Sequence, residues 1–167
     1  MKKSGKNPSL TGRPLSEKIS LWLAFGCGSG FIRPAPGTWG TLPGVFIAYF
    51  VMPYPLLHLA VIIALTLIGT WLCQRASAIL GVHDHGGIVI DEIVGVLITL
   101  WLFQPTWQVL LLGFIAFRVF DILKPWPIRW VDKHVHGGWG IMLDDIIAAG
   151  FAWVTVWVIT RHLYQVV

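Results

Sequence analysis

The sequence is short of charge and of cysteine, and each shortage excludes a class of protein. Only 12% of its 167 residues are Asp, Glu, Lys or Arg, about half of the roughly 25% expected of a soluble domain. Because 56% of the residues are hydrophobic and ten are Trp, a side chain that favours the polar edge of a bilayer, we expect a membrane protein. Two cysteines, Cys27 and Cys73, are too few for a disulfide framework.

The amino-terminal segment is basic and polar. Residues 1–18 carry Lys and Arg among Ser, Gly, Asn and Pro, so we expect a flexible basic arm followed by a membrane domain over residues 19–167. No signal-peptide core precedes Ile19. Ser16 is a candidate N-cap for a short helix that ends near Phe25. That helix is too short to cross a bilayer, so we expect it to lie at the interface.

The apolar segments after the arm predict an all-α membrane bundle. Their lengths predict about four to five membrane helices, of which the first is marginal: residues 42–52, 56–73, 88–103, 107–123 and 141–159. The segment before them, residues 26–44, is rich in Gly and Pro. We therefore predict that it forms a tightly folded loop without a regular element.

The distribution of Lys and Arg predicts the orientation of this bundle. If the amino terminus is cytoplasmic, every Lys and Arg except Arg118 and Arg161 falls on the cytoplasmic side, and the external turns at residues 53–55 and 104–106 hold none. The carboxyl terminus is then external, provided that residues 42–52 cross the membrane fully. The net charge of +4 suits anionic lipid headgroups, and in so hydrophobic a chain we expect no nucleic-acid partner.

Five acidic residues are predicted to meet on the cytoplasmic side, because three apolar segments begin or end there: Asp91, Glu92, Asp121, Asp144 and Asp145. A carboxylate among lipid tails costs roughly 2.5–3.5 kcal/mol, so the five should face a polar cavity. A cluster of this kind stays ionised beside a divalent cation or beside several Lys and Arg. Its oxygen ligands favour Mg²⁺.

Basic residues lie close to these acids in the sequence. Arg118 and Lys124 stand three residues before and after Asp121, a spacing that puts all three on one helix face. Such pairs are equally compatible with simple ion pairs at a helix end. For the five carboxylates taken together, we favour a functional metal site.

Two His-x-His-Gly-Gly motifs, at residues 83–87 and 134–138, each precede an acidic segment. A loop histidine is more often a hydrogen-bonding anchor than an acid or base. We therefore predict only supporting roles within and beside these motifs, for Asp84, His85, Asp132 and His136.

The glycine-rich segment allows three interpretations. Cys27 and Arg33 have the Cys-x5-Arg spacing of cysteine phosphatases, in which a thiolate attacks phosphate, but two matching positions are weak evidence. Backbone N–H groups could instead bind an oxyanion, assisted by Arg33, Thr38 and Thr41. The loop could also be purely structural.

Three long segments resemble the phosphatidylglycerophosphatase A family. They are FGCGSGFIRPAPGTWGTLPG (25–44), GVHDHGGIVIDEIVG (81–95) and FRVFDILKPWPIRWVDKHVHGGWGIMLDDIIAAG (117–150). The resemblance covers roughly residues 20–160. It implies a multi-pass enzyme of the bacterial inner membrane with a cytoplasmic active site. Such an enzyme uses Mg²⁺ to remove the terminal phosphate of phosphatidylglycerophosphate, which yields phosphatidylglycerol, and residues 19–167 would be its phosphatase domain.

The resemblance and the chemistry of phosphate esters assign roles to these residues. A phosphomonoester is nearly a dianion, so a metal ion must stand between it and the carboxylates. We predict catalytic and metal-binding roles for Asp91, Glu92, Asp121, Asp144 and Asp145, and phosphate binding for Arg118, Lys124, Arg129 and Arg33. The substrate would be an anionic phospholipid within the membrane. A cation carrier that uses the same acids, or a different lipid phosphomonoesterase, remains the alternative.

Overall fold

Helices account for most of the chain in the computed structural model, which describes residues 7–164, except for the side chains of residues 163 and 164. The described residues contain no β-strand, so the predicted all-α class is confirmed. The helices are α1 (Leu15–Ala24), a 3₁₀ helix (Gly26–Phe31), α2 (Pro36–Val51), α3 (Pro55–Leu80), α4 (Ile90–Leu100), α5 (Trp107–Leu123), α6 (Ile128–His134) and α7 (Gly137–Tyr164).

The short helix α4 forms the centre of the bundle. It packs against α2, α3, α5 and α7, and ten of its 11 residues are buried. A helix surrounded by protein can be apolar on every side, which explains why residues 88–103 have the composition of a membrane span. At 11 residues α4 is about 16 Å long, about half the thickness of a bilayer's hydrocarbon core.

Two helices within residues 7–164, α3 and α7, are long and apolar enough to cross a membrane. With 16 and 17 residues, α2 and α5 are about 24 and 26 Å long, less than the roughly 30 Å of a hydrocarbon core. Each of the five predicted apolar segments overlaps one helix, α2, α3, α4, α5 or α7. The predicted count of four to five membrane helices is not confirmed, because only these two described helices, α3 and α7, have the length and hydropathy of a membrane span.

The loop predicted for residues 26–44 is wrong for most of its length. Its first part is the 3₁₀ helix, and α2 begins at Pro36, a position where the missing N–H of proline costs no helical hydrogen bond. The glycines of α2 contact α4. A Cβ on Gly40 would lie 2.3 Å from Cβ of Val89, and one on Gly44 would lie 2.4 Å from Cγ1 of Val96. These glycines let two helices approach closely.

The predicted short amino-terminal helix is present as α1. It begins at Leu15 with Pro14 as its N-cap and no side-chain capping bond, so the capping role predicted for Ser16 is wrong. Residues 1–6 of the basic arm lie outside the described residues. Farther along the arm, Arg13 donates a hydrogen bond to the backbone oxygen of Ile79 near the end of α3.

A short helix, α6, lies in the polar segment between α5 and α7, where we predict no helix. Its buried residues Ile128 and Val131, three apart, are one helical turn from each other, and α6 packs against α7. Trp126 and Trp130 remain exposed. The polar segment between α5 and α7 therefore contains a short helix that packs on the bundle.

Candidate active site

The five predicted carboxylates are gathered at the end of the bundle where α4 and α7 begin and α5 ends, which we call the acidic end. All five are at least 95% buried: Asp91, Glu92, Asp121, Asp144 and Asp145. Ionised groups are rarely buried to this extent unless they are paired or bind a cation. The acidic end is therefore the candidate active site of the bundle.

Arg118 joins α5 to α4 at the acidic end. Its Nη1 donates to Oδ2 of Asp121 at 2.6 Å and to Oε1 of Glu92 at 3.3 Å. The amino end of α2 touches this group, because a Cβ on Gly37 would lie 2.3 Å from Oε1 of Glu92 and 3.0 Å from Nη2 of Arg118. Three helices thus meet at one guanidinium.

Lys124 links the end of α5 to α6 and α7. Its Nζ donates to Oδ1 of Asp132 at 2.5 Å and to Oδ2 of Asp144. Its φ of 44° is in the left-handed region, which costs a residue other than glycine about 1–3 kcal/mol and is a common conformation at the end of a helix. Helix α5 thus ends with Lys124 as its C-cap, and the side chain of this residue contacts both Asp132 and Asp144.

A cavity of about 760 Å³ lies beside these ion pairs. Its charged wall holds four cationic side chains among the described residues, together with three carboxylates: Arg118, Lys124, Arg129 and Lys133, with Glu92, Asp121 and Asp132. Another part of the wall is apolar and includes Ala35, Pro36, Ile122 and Leu123. Cationic groups suit a phosphate, and the apolar wall suits a hydrocarbon group attached to it. We call this space the cationic cavity.

A second cavity of about 250 Å³ is lined by His83, Asp84, Asp132 and Asp144, among others. It adjoins the cationic cavity, because Asp132 lines both. Oδ1 of Asp84 is buried there without a hydrogen-bond partner among the described residues. An acidic lining of this kind suits a cation rather than an anion.

The oxygen donors at the acidic end match the ligand preference of Mg²⁺. Within residues 7–164, however, no three His, Cys, Asp or Glu side chains are arranged so that they could hold one ion together. Arg118 and Lys124 contact the carboxylates instead. The residues therefore fit magnesium by donor type. For several carboxylates to bind one ion, some of their contacts with Arg118 and Lys124 must be replaced by contacts with the metal.

The remaining predicted residues are not all at the cavities. Asp91 and Asp145 are buried within α4 and α7 and line neither cavity. Arg129 lines the cationic cavity as predicted. Arg33 lines neither, and its Nε donates to Oδ1 of Asn7 at 3.1 Å.

The two His-x-His-Gly-Gly motifs meet in the structure. The rings of His83 and His136 lie edge to face with centroids 5.2 Å apart. Nε2 of His83 accepts a hydrogen bond from the backbone N–H of Gly137 at 2.8 Å. Nδ1 of the buried His85 accepts one from Gly87 at 3.1 Å. His83 and His85 thus have the anchoring contacts that we expect of loop histidines.

The other candidate residues of the glycine-rich segment, Cys27, Thr38 and Thr41, take no part in lining the cavities. Cys27 is exposed on the 3₁₀ helix and, like Arg33, lines neither of them. The hydroxyl of Thr41 is used inside α2, where it donates to the backbone oxygen of Gly37 at 2.8 Å. This segment contributes to the cationic cavity through Ala35–Gly37 instead.

Reasoning from the sequence missed part of the cationic cavity. It did not identify Gly37, Lys133, Ile122 or Leu123 as wall residues. Only Gly37 had a usable signal, because residues 37, 40 and 44 repeat glycine at the three- and four-residue spacing of one helix face. Exposed apolar residues and a surface lysine have no distinguishing pattern in so hydrophobic a chain.

Comparisons with known proteins show the family of the chain. A model of the family described as Phosphatidylglycerophosphatase A matches residues 22–160. The chain is 47% identical over 153 residues to a Haemophilus influenzae protein named phosphatidylglycerophosphatase A, covering 86% of this chain and 93% of that protein. It is 48% identical over 130 residues to the Escherichia coli protein of the same name, covering 75% and 74%.

A third relative carries a different name. A Bacteroides thetaiotaomicron protein named putative phosphatidylinositol-3-phosphatase is 35% identical over 155 residues, covering 84% of this chain and 96% of that protein. No solved structure matches the chain. The family match spans every cavity-lining residue named above. The chain therefore belongs to the phosphatidylglycerophosphatase A family and is a phosphatase.

Proposed function

We propose that the protein hydrolyses the terminal phosphomonoester of phosphatidylglycerophosphate in a Mg²⁺-dependent reaction, which yields phosphatidylglycerol and inorganic phosphate. The observation that carries the proposal is the cationic cavity. It combines four cationic side chains with an apolar wall, and a lipid phosphomonoester combines a dianionic phosphate with hydrocarbon chains. Family membership supplies the reaction class.

The phosphate ligands would be Arg118, Lys124 and Arg129, which line the cationic cavity. Arg118 is held in place by Glu92 and Asp121, so its guanidinium needs little reorganisation when charge develops on the phosphoryl oxygens. The planar guanidinium of an arginine can also bind two phosphate oxygens at once. Arg33, the fourth predicted ligand, would need a different side-chain position from the one that contacts Asn7.

Magnesium would be held by carboxylates of the acidic end, drawn from Asp91, Glu92, Asp121, Asp144 and Asp145, with Asp84 and Asp132 on the side of the smaller cavity. When bound, the ion supplies positive charge to the phosphoryl oxygens and lowers the pKa of bound water. Of the five predicted catalytic carboxylates, Glu92 and Asp121 line the cationic cavity, so they are the candidates to take a proton from the attacking water.

We place the protein in the bacterial inner membrane as a multi-pass protein, with α3 and α7 as its full-length spans and the acidic end on the cytoplasmic side. Supporting this placement, nearly all Lys and Arg fall on that side of the predicted topology. Exposed tryptophans at Trp22, Trp126, Trp130 and Trp139 suit the membrane interface there. We propose that α1 lies in the interface, since Leu15 and Ile19 are also exposed.

A different lipid phosphomonoester is the second candidate substrate. The observation in its favour is the Bacteroides relative named putative phosphatidylinositol-3-phosphatase. Both candidates share a phosphate ester on a lipid and differ in the remainder of the headgroup. The alternative of a cation carrier has no comparable support, because the family match is to a phosphatase.

Phosphate release by the purified protein tests the proposal. We expect release from phosphatidylglycerophosphate with Mg²⁺, much slower release from phosphatidylinositol 3-phosphate, and none with excess chelator. Arg118→Gln should abolish turnover, whereas the matched variant Arg161→Gln, whose guanidinium lies over Trp157 near the end of α7, should retain it. Faster release from the inositol lipid would favour the second substrate, and full activity in chelator would contradict the metal dependence.

A further inference from the structure

The outward face of α5 carries a row of apolar side chains that leads to the cationic cavity. We propose that an acyl chain of the lipid substrate lies along this row, formed by Leu111, Ile115 and Ile122, while its phosphate occupies the cavity. The inference rests on the proposed function, because it takes the substrate to be a lipid phosphomonoester and the acidic end to lie at the membrane surface.

The three side chains share one face of the helix. Their spacings of four and seven residues place them within about 40° of one another around the axis at 3.6 residues per turn. They are exposed, with 50%, 49% and 65% of their surfaces accessible for Leu111, Ile115 and Ile122. The buried face of α5, which includes Gly113 and Phe117, packs inside the bundle. The row is therefore a free apolar surface in this chain.

The row is continuous with the cationic cavity. Ile122 and the adjacent Leu123 line it, and Lys124, which follows directly, is one of its four cations. Arg118 lies one turn before Ile122 on α5 and lines the same cavity. A molecule with a phosphate among these cations would therefore have its attached group next to Ile122.

The length of the row fits a lipid of one leaflet. Leu111 and Ile122 are 11 positions apart in the sequence, which corresponds to about 16 Å along the helix axis. Half of a hydrocarbon core of about 30 Å is about 15 Å. A lipid whose phosphate is at the acidic end would therefore have an acyl chain beside the whole row. This match of charge, polarity and length favours the substrate's acyl chain as the molecule that occupies the surface.

Any lipid-facing helix is apolar, so a control surface is needed. Helix α3 exposes Ile63 and Leu67, with 52% and 59% of their surfaces accessible. Neither residue lines the cationic cavity. If the α5 row only contacts bulk lipid, truncation there and truncation on α3 should have the same consequence.

The experiment compares two phosphomonoesters with the same headgroup, one with long acyl chains and one with short chains that is water-soluble. The variants are the double substitutions Ile115→Ala with Ile122→Ala on α5, and Ile63→Ala with Leu67→Ala on α3. We expect the α5 variant to lower the ratio of kcat/KM for long over short chains about tenfold, or about 1.4 kcal/mol, chiefly through KM. The α3 variant should keep the ratio within twofold.

The outcomes separate this inference from the proposed function. An equal fall in the ratio for the α3 variant, or an unchanged ratio for the α5 variant, would overturn the inference and leave the phosphatase assignment intact. No phosphate release by the unaltered protein from either ester would overturn the proposed function itself. The conservative variant Ile122→Leu keeps an apolar side chain of the same size, so we expect it to retain the ratio of kcat/KM for long over short chains. A tenfold fall of the ratio in this variant would also contradict the inference.

Discussion

Gly37 offers a sharp test of the cationic cavity, because a single methyl group there would strike the Arg118 ion pair. In Gly37→Ala the new Cβ would lie 2.3 Å from Oε1 of Glu92 and about 3 Å from both terminal nitrogens of Arg118. Contacts below 3.0 Å are not tolerated, so the carboxylate of Glu92 must move, and the guanidinium of Arg118, at 3.0 and 3.1 Å, must shift by a few tenths of an ångström. Their displacement shifts a phosphate ligand and a candidate base together.

The size of the effect follows from two separate contributions. Forcing an extra methyl group into a packed interior costs typically 1–3 kcal/mol of stability. Misplacing a catalytic group by about 1 Å costs on the order of 10²-fold in rate. We therefore expect Gly37→Ala to lower kcat/KM about a hundredfold and to lower the unfolding temperature moderately.

Two glycines provide matched controls. Gly44 lies seven residues farther along α2, about 10 Å from Gly37 along the helix axis, and its Cβ would lie 2.4 Å from Cγ1 of Val96. A Cβ on Gly44 would also lie 2.9 Å from the backbone oxygen of Ile93, so Gly44→Ala should destabilise the protein more than Gly37→Ala but leave the activity of the folded enzyme within a few-fold of normal. Gly150→Ala, with no described atom within 4 Å of its Cβ, should lower neither. Wild-type kcat/KM in Gly37→Ala would refute the proposed geometry.

Three further predictions concern the acids, the cysteine and the topology. In a phosphate-release assay, Asp91→Asn, Asp121→Asn and Asp144→Asn should each lower turnover by 10²-fold or more, which corresponds to roughly 2.7 kcal/mol of transition-state stabilisation. Near-normal turnover in all three variants would contradict the predicted metal ligands. Cys27→Ser should stay active and Mg²⁺-dependent, because Cys27 lies outside both cavities, whereas a folded but inactive variant would favour a thiolate mechanism. In the Cys27→Ser background, a cysteine at Leu102 should react with an impermeant maleimide on intact cells and one at Trp126 only after lysis, and the reverse pattern would invert the topology.

Apolar periodicity and chain direction account for much of what is predictable here. Every predicted apolar segment contains a helix, and the alternation of helix directions brings Glu92, Asp121 and Asp144 to one end of the bundle. The limits of this reasoning lie in helix length and exposure. Hydropathy does not distinguish a span surrounded by lipid from α4, which is surrounded by protein. The count of membrane helices therefore could not be read from composition.

The glycines of α2 show how the same residue type can have opposite meanings. In isolation Gly and Pro predict a loop, because glycine lowers the intrinsic stability of a helix. In the folded chain, Gly37, Gly40 and Gly44 lie against α4 where any side chain would collide. Packing between helices outweighs the local preference, and only the neighbour reveals it.

The amino-acid sequence by itself determined the helical class, the family and the identity of the buried charges, because these depend on composition, periodicity and motifs within one segment at a time. The tertiary structure decided which charges share a space. It divided the acidic end into a larger cavity with four cations and a smaller acidic one, and it left Asp91, Asp145 and Arg33 outside both. Distances between α2, α4, α5, α6 and α7 set that division, and they arise from packing between segments far apart in the chain.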